Sequence, residues 1–326
     1  MARVLALIFT LCMQFCAAAA FAQAASYPSK PLKMVISFPA GGPADIFGRA
    51  IAQKLTEIIG HPVLVDNRAG ASGMIAGEYI VKGPTDGYAV FLASSGVLAL
   101  HPNLYEKLPY DVVRDFAFVT LAVTVPEILV INPSVPAKTA KEFADLAKAK
   151  PGQLSYGSTG AGSMPHLAFE SFRIAAGVNI LHVPYKGAAP VVTDLMGGQV
   201  QATILDVPVV LPHIKSGKLR ALAIATGKRA STLPDVPTMA EAGYPSVNAD
   251  NWYGFVVAAA TPKDILAKLH SALVAAIEAP ETKQRLAGQG ADAISDSPQE
   301  FVAYVRAETE KWGKIVRTAG IKLEAY

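Results

Sequence analysis

The sequence predicts an α/β protein of two lobes, and three observations lead to this fold class. A chain of 326 residues is about twice the length of an average domain. Hydrophobic residues make up 52% of the chain and charged residues only 17%, which is enough apolar material for packed cores. Short apolar stretches, Gly-rich or Ser-rich loops and amphipathic stretches then alternate along the sequence, a pattern typical of parallel strands covered by helices.

The first 24 residues are a predicted signal peptide. A basic residue is followed by an apolar run over residues 4–15, and Ala22 and Ala24 match the small residues that a signal peptidase requires. We therefore expect cleavage after Ala24 and export to the periplasm. An uncleaved membrane anchor and a lipid anchor on Cys16 are the alternatives.

Charge and cysteine content exclude several classes of protein. Lys and Arg total 29 against 26 Asp and Glu, and no basic block is present, so we expect no nucleic-acid partner. Both cysteines, Cys12 and Cys16, lie within the predicted signal peptide. The mature chain is therefore predicted to contain no disulfide, zinc–thiolate site or cysteine nucleophile.

Two series of strand and helix signals follow each other along the chain. The first predicts strands at 33–38, 62–65 and 88–93, with helices over 43–59 and up to about residue 82. The second predicts strands at 127–131, 154–156, 180–183, 201–205 and 219–225, with helices over 139–148, 165–176 and 188–196. Each series is long enough to form one lobe, a Rossmann-like sheet flanked by helices.

A segment rich in Pro and Gly, residues 233–245, marks a boundary after the second series. The strand at 252–258 and three helical stretches beyond it are too few in strands to build their own core. We expect this tail to return to the first lobe, so that the chain crosses between lobes near residues 125 and 247. The predicted lobes are 25–125 plus 247–326 and 126–246, a clamshell with a ligand in its cleft.

Common catalytic signatures are absent from the sequence. It contains no G-x-S-x-G, S-x-x-K, P-loop or H-E-x-x-H motif, and its six histidines lack the spacing of metal ligands. We expect no enzyme, metal or cofactor. A Ser/His/Asp triad assembled in three dimensions remains an open alternative, because such triads are recognised by geometry.

Two loops at strand-to-helix junctions have the composition of an anion site. Gly41 and Gly42 precede Pro43 at a helix start, and the loop over residues 157–163 adds three hydroxyl groups to a similar turn. Backbone N–H groups at helix starts bind anions. In the alternative interpretation, Asp45 caps its own helix and pairs with Arg49. Two serines, Ser94 and Ser95, follow the third strand at the same sheet edge, as ligand groups or as helix caps.

Several motifs in order along the chain resemble the Bug family, the periplasmic receptors of tripartite tricarboxylate transporters. They are Phe38-Pro39-Ala40-Gly41-Gly42-Pro43-Ala44-Asp45, Asn67-Arg68-Ala69-Gly70, Gly160-Ala161-Gly162-Ser163-Met164-Pro165-His166, Val183-Pro184-Tyr185-Lys186-Gly187, Leu233-Pro234-Asp235-Val236-Pro237-Thr238 and Trp252-Tyr253-Gly254. The resemblance extends from about residue 28 to the C-terminus. Ser72 departs from it, since the family has Gly there.

The resemblance implies a Venus flytrap of type II-like architecture, a monomer that binds a small carboxylated solute and delivers it to a two-component membrane permease. By motif position, two loops would pinch the carboxylate: Phe38, Pro39, Ala40, Gly41, Gly42 and Asp45 against Ser158, Thr159, Gly160, Gly162 and Ser163. Further candidates for the wall are Ser94, Ser95, His166, Tyr185 and Asp206. Asp206 could bind a ligand amine, hold a carboxylate through water or cap a helix. Competing functions are a sensor domain for a membrane histidine kinase and an exported hydrolase or isomerase.

Overall fold

Ten strands form one mixed sheet in the computed structural model, which describes residues 27–323. The predicted signal peptide lies outside the described residues. The strands are β1 (Leu32–Ile36), β2 (Val63–Asn67), β3 (Ala89–Ser94), β4 (Phe116–Ile131), β5 (Ser155–Ser158), β6 (Leu181–Pro184), β7 (Ala202–Asp206), β8 (Arg220–Ile224), β9 (Asp250–Ala258) and β10 (Asp292–Ala293).

Helices connect most of the strands. They are α1 (Pro43–Ile59), α2 (Met74–Val81), α3 (His101–Leu104), α4 (Val112–Asp115), α5 (Ala140–Ala149), α6 (Met164–Ala176), α7 (Ala188–Met196), α8 (Val207–Lys215), α9 (Lys263–Glu278), α10 (Pro280–Gly288) and α11 (Pro298–Ala319). A 3-10 turn (Ala71–Gly73) precedes α2, and a π-helical turn (Gly96–Leu100) follows β3. Within residues 27–323, no helix combines the length and the apolar character needed to cross a bilayer.

The long strand β4 joins two groups of strands. The order along the sheet is β2-β1-β3-β9-β4-β7-β5-β6, while β8 and β10 also pair with β4. Residues 116–126 of β4 pair with β9, and residues 127–131 pair with β7 and β8. The outer strands of each group are parallel, as in the pairs β1–β3 and β5–β6. Strand β9 runs antiparallel to both β3 and β4. The expected parallel sheets are therefore parts of one mixed sheet.

Helices cover both faces of each group of strands. In the first group, α1, α9 and α10 bury residues such as Ile51 and Leu273 against one face, while α2 and α11 bury Met74 and Phe301 against the other. In the second group, α5 and α6 cover one face and α7 and α8 the other. Burial of apolar side chains on both faces explains the nearly continuous hydrophobic runs of these strands.

The C-terminal helix α11 contacts both groups of strands. It begins with a capping box, in which the Ser297 hydroxyl accepts from the Glu300 N–H while the Glu300 carboxylate accepts from the Ser297 N–H. Phe301 packs in a core of the first group. Trp312, only 1% exposed, packs in the core of the second group, which also contains Phe169 and Phe172. The tail was expected to pack on the first lobe alone, but α11 also packs on the second group of strands.

The elements that were not expected from the sequence include the first half of β4 and the helix α8. The first half of β4 went unrecognised because Pro126 interrupts its apolar run, and a proline normally excludes a central strand. In the structure Pro126 lies where the pairing of β4 changes, since Pro126 pairs with Asp250 while the carbonyl of Glu127 accepts from Ala225 N–H. The helix α8 went unrecognised because it contains Pro208 and Pro212.

Candidate functional site

A cavity of about 570 Å³ lies where the two groups of strands meet. Its walls are loops after the carboxyl ends of β1, β3, β5, β6 and β7, the edge at which open α/β sheets bind ligands. The predicted site residues that line it are Phe38, Pro39, Ala40, Gly41, Gly42, Ser94, Ser95, Thr159, Ser163 and Asp206. The other predicted residues do not line it; they are Asp45, Ser158, Gly160, Gly162, His166 and Tyr185.

Asp45 braces the loop between β1 and α1. Its Oδ2 accepts a hydrogen bond from the Gly41 N–H at 3.0 Å, and its Oδ1 accepts from Arg49 Nε at 2.9 Å and from Asn67 Nδ2 at 3.0 Å. Asn67 also donates to the carbonyl of Phe38. Burial alone would raise the pKa of Asp45, but the hydrogen bonds from Arg49, Gly41 and Asn67 hold it below its ordinary value. Asp45 therefore shapes the loop, in agreement with the alternative in which it pairs with Arg49.

The serine hydroxyls of the loop between β5 and α6 hold the loop itself. Ser158 Oγ donates to the Gly160 carbonyl at 3.1 Å and lies 2.7 Å from Nε2 of His182. Ser163 Oγ donates to the same carbonyl at 2.7 Å. Both hydroxyls are therefore occupied, although Ser163 lines the cavity.

His166 and Tyr185 also have partners outside the cavity. The Gly162 N–H donates to Nδ1 of His166 at 3.1 Å, and the His166 ring stacks on His182 with centroids 3.9 Å apart. Burial, followed by the proximity of His182 and Arg173, lowers the pKa of His166 to about 3, so its ring is neutral. The Tyr185 hydroxyl donates to Asp194 at 2.7 Å. Both side chains support the second loop from behind.

Several lining residues carry backbone N–H groups without a hydrogen-bond partner among the described residues. Among them are Ala40, which precedes α1, Thr159, which follows β5, and Met164, the first residue of α6. The nearby Gly41 and Gly162 N–H groups are already taken by Asp45 and His166. The dipoles of α1 and α6 make the potential at these helix starts positive, an arrangement that favours an anion over a cation.

The 3-10 turn before α2 contacts the loop between β5 and α6. Ser72 Oγ donates to the carbonyl of Ala161 at 3.0 Å. Gly160 has φ +138°, and a Cβ at that position would lie 3.0 Å from Ser72 Oγ. A Cβ on Gly162 would lie 2.9 Å from Leu104 Cδ1. Glycines at 160 and 162 therefore permit both the turn of the second loop and its close approach to the first group of strands.

A polar network forms the floor of the cavity. Ser95 Oγ donates to Asn251 Oδ1 at 2.8 Å, and Asn251 Nδ2 donates to Asp206 Oδ1 at 2.9 Å and to the Tyr253 hydroxyl at 3.2 Å. Ser94 lies opposite Tyr253 in the pairing of β3 with β9. The Ser94 side chain is 3% exposed, and its hydroxyl has no partner among the described residues. The network joins the ends of β3, β7 and β9.

Glu127 lies behind Asp206, directly opposite it in the pairing of β4 with β7. Its side chain is fully buried, and neither carboxyl oxygen accepts from an N–H or O–H donor of the described residues. Burial, then the charge of Asp206 and a hydrogen bond with it, raise the pKa of Glu127. Burial also raises the pKa of Asp206, against hydrogen bonds with Asn251, Glu127 and Tyr253. These directions favour a protonated Glu127 behind an ionised Asp206.

The remaining walls are largely apolar. They are formed by Ile46, Met164, Pro165, Ala188, Ala189, Pro190, Val192, Met196, Pro208 and Val209. The basic side chains in the lining are those of Lys186, which is exposed, and His213. No three potential metal ligands cluster anywhere in residues 27–323. Apolar walls with a few polar groups at one side suit a small organic ligand.

Some lining residues were missed from the sequence. Tyr253 belongs to a recognised motif and Asn251 lies just before that motif, but nothing in its spacing shows that β9 runs through the cavity floor. Lys186 and Gly187 follow β6 at the same sheet edge as the predicted loops. The rule applied to Ser94, that residues after parallel strands meet at one edge, would have found these two residues.

Comparisons with known proteins agree with this architecture. A family model described as the tripartite tricarboxylate transporter family receptor matches residues 47–321. Protein BugT of Bordetella pertussis is 37% identical over 307 residues, which cover 94% of each chain. The structure of Rpa4515 from R. palustris with adipate is 35% identical, has a TM-score of 0.88 and covers 92% of this chain and all of its own. That of the periplasmic binding protein BugD is 32% identical, with a TM-score of 0.85 and the same coverage of the two chains.

These similarities confirm the predicted fold class, an α/β periplasmic binding protein of two lobes. The matched family and the structural neighbours are solute receptors and not enzymes, as expected from the sequence. The resemblance to Bug proteins is also confirmed. Since the family model spans most of the chain and BugT is similar over 94% of it, the chain belongs to the tripartite tricarboxylate transporter family of receptors.

Proposed function

We propose that this protein is a periplasmic receptor that binds a small carboxylated solute in the cavity and delivers it to a two-component membrane permease. The observation that carries the proposal is the set of unpaired amides on Ala40, Thr159 and Met164, which line one cavity from two facing loops. The adipate bound to Rpa4515 supports a carboxylate as the ligand.

The amides would hold the carboxylate without a neutralising cation. A carboxylate accepts several N–H bonds, and the dipoles of α1 and α6 add favourable potential at the same place. Met164 and Pro165 would cover the carbon skeleton on one side and Pro208 and Val209 on another. Neutral donors suit a receptor that must release its cargo, because the carboxylate itself forms no ion pair that has to be broken.

Closure would occur about the two places where the chain passes between the groups of strands. One is the change of partners at Pro126 in β4, and the other is the segment before Asp250, where the Ala249 N–H donates to the Ala225 carbonyl. The lobes would then be residues 25–125 plus 247–326 and 126–246. Helix α11 contacts both cores and would limit the amplitude of the motion.

Calorimetric titration and thermal shift of purified residues 25–326 test the ligand class. Aliphatic mono-, di- and tricarboxylates, aromatic acids, amino acids and neutral sugars form the panel. A carboxylate at 100 times its Kd should stabilise the fold by about 2.7 kcal/mol and raise the Tm by roughly 4 °C. Binding of neutral sugars alone would contradict the proposal.

A paired substitution localises the site. Gly42 has φ −81° and its Cβ would have room, 3.4 Å from the carbonyl of Pro39, so Gly42→Trp preserves the fold while its indole fills the cavity. We expect loss of carboxylate binding. The control is Gly227→Trp, at an exposed glycine with no atom within 4 Å of its Cβ. Equal binding by both variants would remove the loop from the site.

Delivery and location need separate tests. Membrane vesicles containing the candidate permease should accumulate labelled solute only when the receptor is added, and the permease should be recovered with the receptor in its liganded form. Recovery of a membrane histidine kinase in place of a permease would support the sensor alternative and contradict delivery. Sedimentation should give a monomer, and N-terminal sequencing of the exported protein should begin at Ala25.

A further inference from the structure

We infer that Asp206, backed by Glu127, selects a solute that carries an ammonium group in addition to its carboxylate, in preference to a dicarboxylate. The inference rests on the proposed function, because it assigns the second polar group of the same ligand. The first carboxylate would occupy the amides of Ala40, Thr159 and Met164, and the ammonium would lie on the cavity floor.

Asp206 is placed to contact a ligand. It is the last residue of β7, lines the cavity and is 5% exposed. The amide of Asn251 fixes its side chain through a hydrogen bond of 2.9 Å, and Ser95 fixes the amide in turn. A carboxyl group held in this way presents one orientation to whatever enters the cavity.

The acidic pair has no cation of its own. None of the ion pairs in the described residues involves Asp206 or Glu127. The titratable groups facing the pair from β9 are Asp250 and Tyr253, which supply no positive charge. A buried carboxylate is normally paired with a cation. An ammonium on the ligand would supply that charge, whereas a second ligand carboxylate would meet repulsion.

An independent observation points to a ligand at the same floor. The Ser94 side chain is 97% buried and lines the cavity, yet its hydroxyl has no partner among the described residues. Buried hydroxyls are nearly always hydrogen-bonded, so this one lacks a partner that a small rearrangement of the floor around a ligand would supply. An ammonium has three donors, and the Asp206 carboxylate and the hydroxyls of Ser94 and Tyr253 are acceptors on the same floor.

Calorimetric titration at pH 7.5 with matched carboxylates tests this assignment. The probes are glycine, β-alanine, 4-aminobutanoate, 5-aminopentanoate and 6-aminohexanoate, each compared with the monocarboxylate and the dicarboxylate of equal carbon number. At the best chain length we expect the amino acid to bind at least tenfold more tightly than either partner compound. In Asp206→Asn this preference should fall below threefold.

Asp194→Asn is the matched control, since Asp194 binds the Tyr185 hydroxyl and does not line the cavity. It should retain the tenfold preference. If carboxylates bind but the dicarboxylates bind best, or if Asp206→Asn leaves the preference intact, the assignment of Asp206 is overturned and the proposed function stands. If none of the carboxylates in the series or in the wider panel binds, both are overturned.

Discussion

Replacing Asp45 by Ala tests whether a side chain behind the cavity sets the shape of the binding loop. Asp45 accepts three hydrogen bonds, from the Gly41 N–H, from Asn67 and from Arg49. It is 4% exposed, while the side chain of Arg49 is half exposed. The substitution therefore removes the brace without altering any atom of the cavity lining.

The loss in the free energy of unfolding can be worked out from the three hydrogen-bond partners of Asp45. The contact with Arg49 contributes little, because solvent screens a half-exposed ion pair. Hydrogen bonds from Gly41 and Asn67 to a charged acceptor are worth about 1.5–3 kcal/mol each, and Gly41 is exposed enough for water to replace its lost partner. We expect a loss of about 3 kcal/mol in the free energy of unfolding, or roughly 5 °C in Tm. Carboxylate affinity should fall about tenfold as the loop loses its fixed conformation.

Thermal denaturation and calorimetric titration measure the two effects. Asp145→Ala is the matched control, since Asp145 is half exposed and pairs with Lys141 one helical turn away. The control should unfold at almost the wild-type temperature, because solvent screens an exposed ion pair. The pKa of Asp45 is lowered in the fold, so its contribution exists above the unfolded pKa of about 4 and disappears as the pH falls through the folded value. Equal stability of the two variants at pH 7, or unchanged affinity in Asp45→Ala, would refute the reasoning.

Three further predictions concern the contact between loops, the core and the acidic pair. Ser72→Ala removes the hydrogen bond to Ala161 and should weaken carboxylate binding about fivefold, seen as faster dissociation in stopped-flow measurements; an unchanged rate would contradict this. Gly254→Ala places a Cβ 2.1 Å from Phe301 Cζ and should cost about 3 kcal/mol in thermal denaturation, whereas Gly227→Ala should cost almost nothing. Glu127→Gln should raise the Tm at pH 8 but not at pH 4. The pKa of Glu127 is raised in the folded protein, so Glu127 costs no stability below its unfolded pKa but destabilises the fold increasingly as the pH rises, and Gln has no such cost. A constant difference between the two proteins across pH would count against the raised pKa of Glu127.

Local signals predicted most of the fold because they act within a few residues. The bounds of α1 and α7 agree with the predicted ones, since Gly and Pro mark the start of α1 and Gly both ends of α7. The first half of β4 was missed because the tolerance of Pro126 depends on a change of partner strands far away in sequence. The residues next to a proline do not show which strands will pair with its own strand.

In the site, too, features set by neighbouring residues were predicted, and contacts between residues far apart in sequence were not. The two loops were found because glycines and helix starts are local features. The directions of individual side chains were not, since Ser158, His166 and Tyr185 turn toward His182, Gly162 and Asp194. The floor was only partly recognised, because its central residue Asn251 reaches the cavity through the pairing of β9 with β3 and β4.

A crystal structure of the protein with a bound carboxylate tests the central claim most directly. We predict that both carboxylate oxygens lie within hydrogen-bond distance of N–H groups from the two loops, with the amides of Ala40, Thr159 and Met164 as donors, directly or through one ordered water. A carboxylate bound elsewhere, or one neutralised by Lys186 or His213 with these three amides unused, would contradict the account.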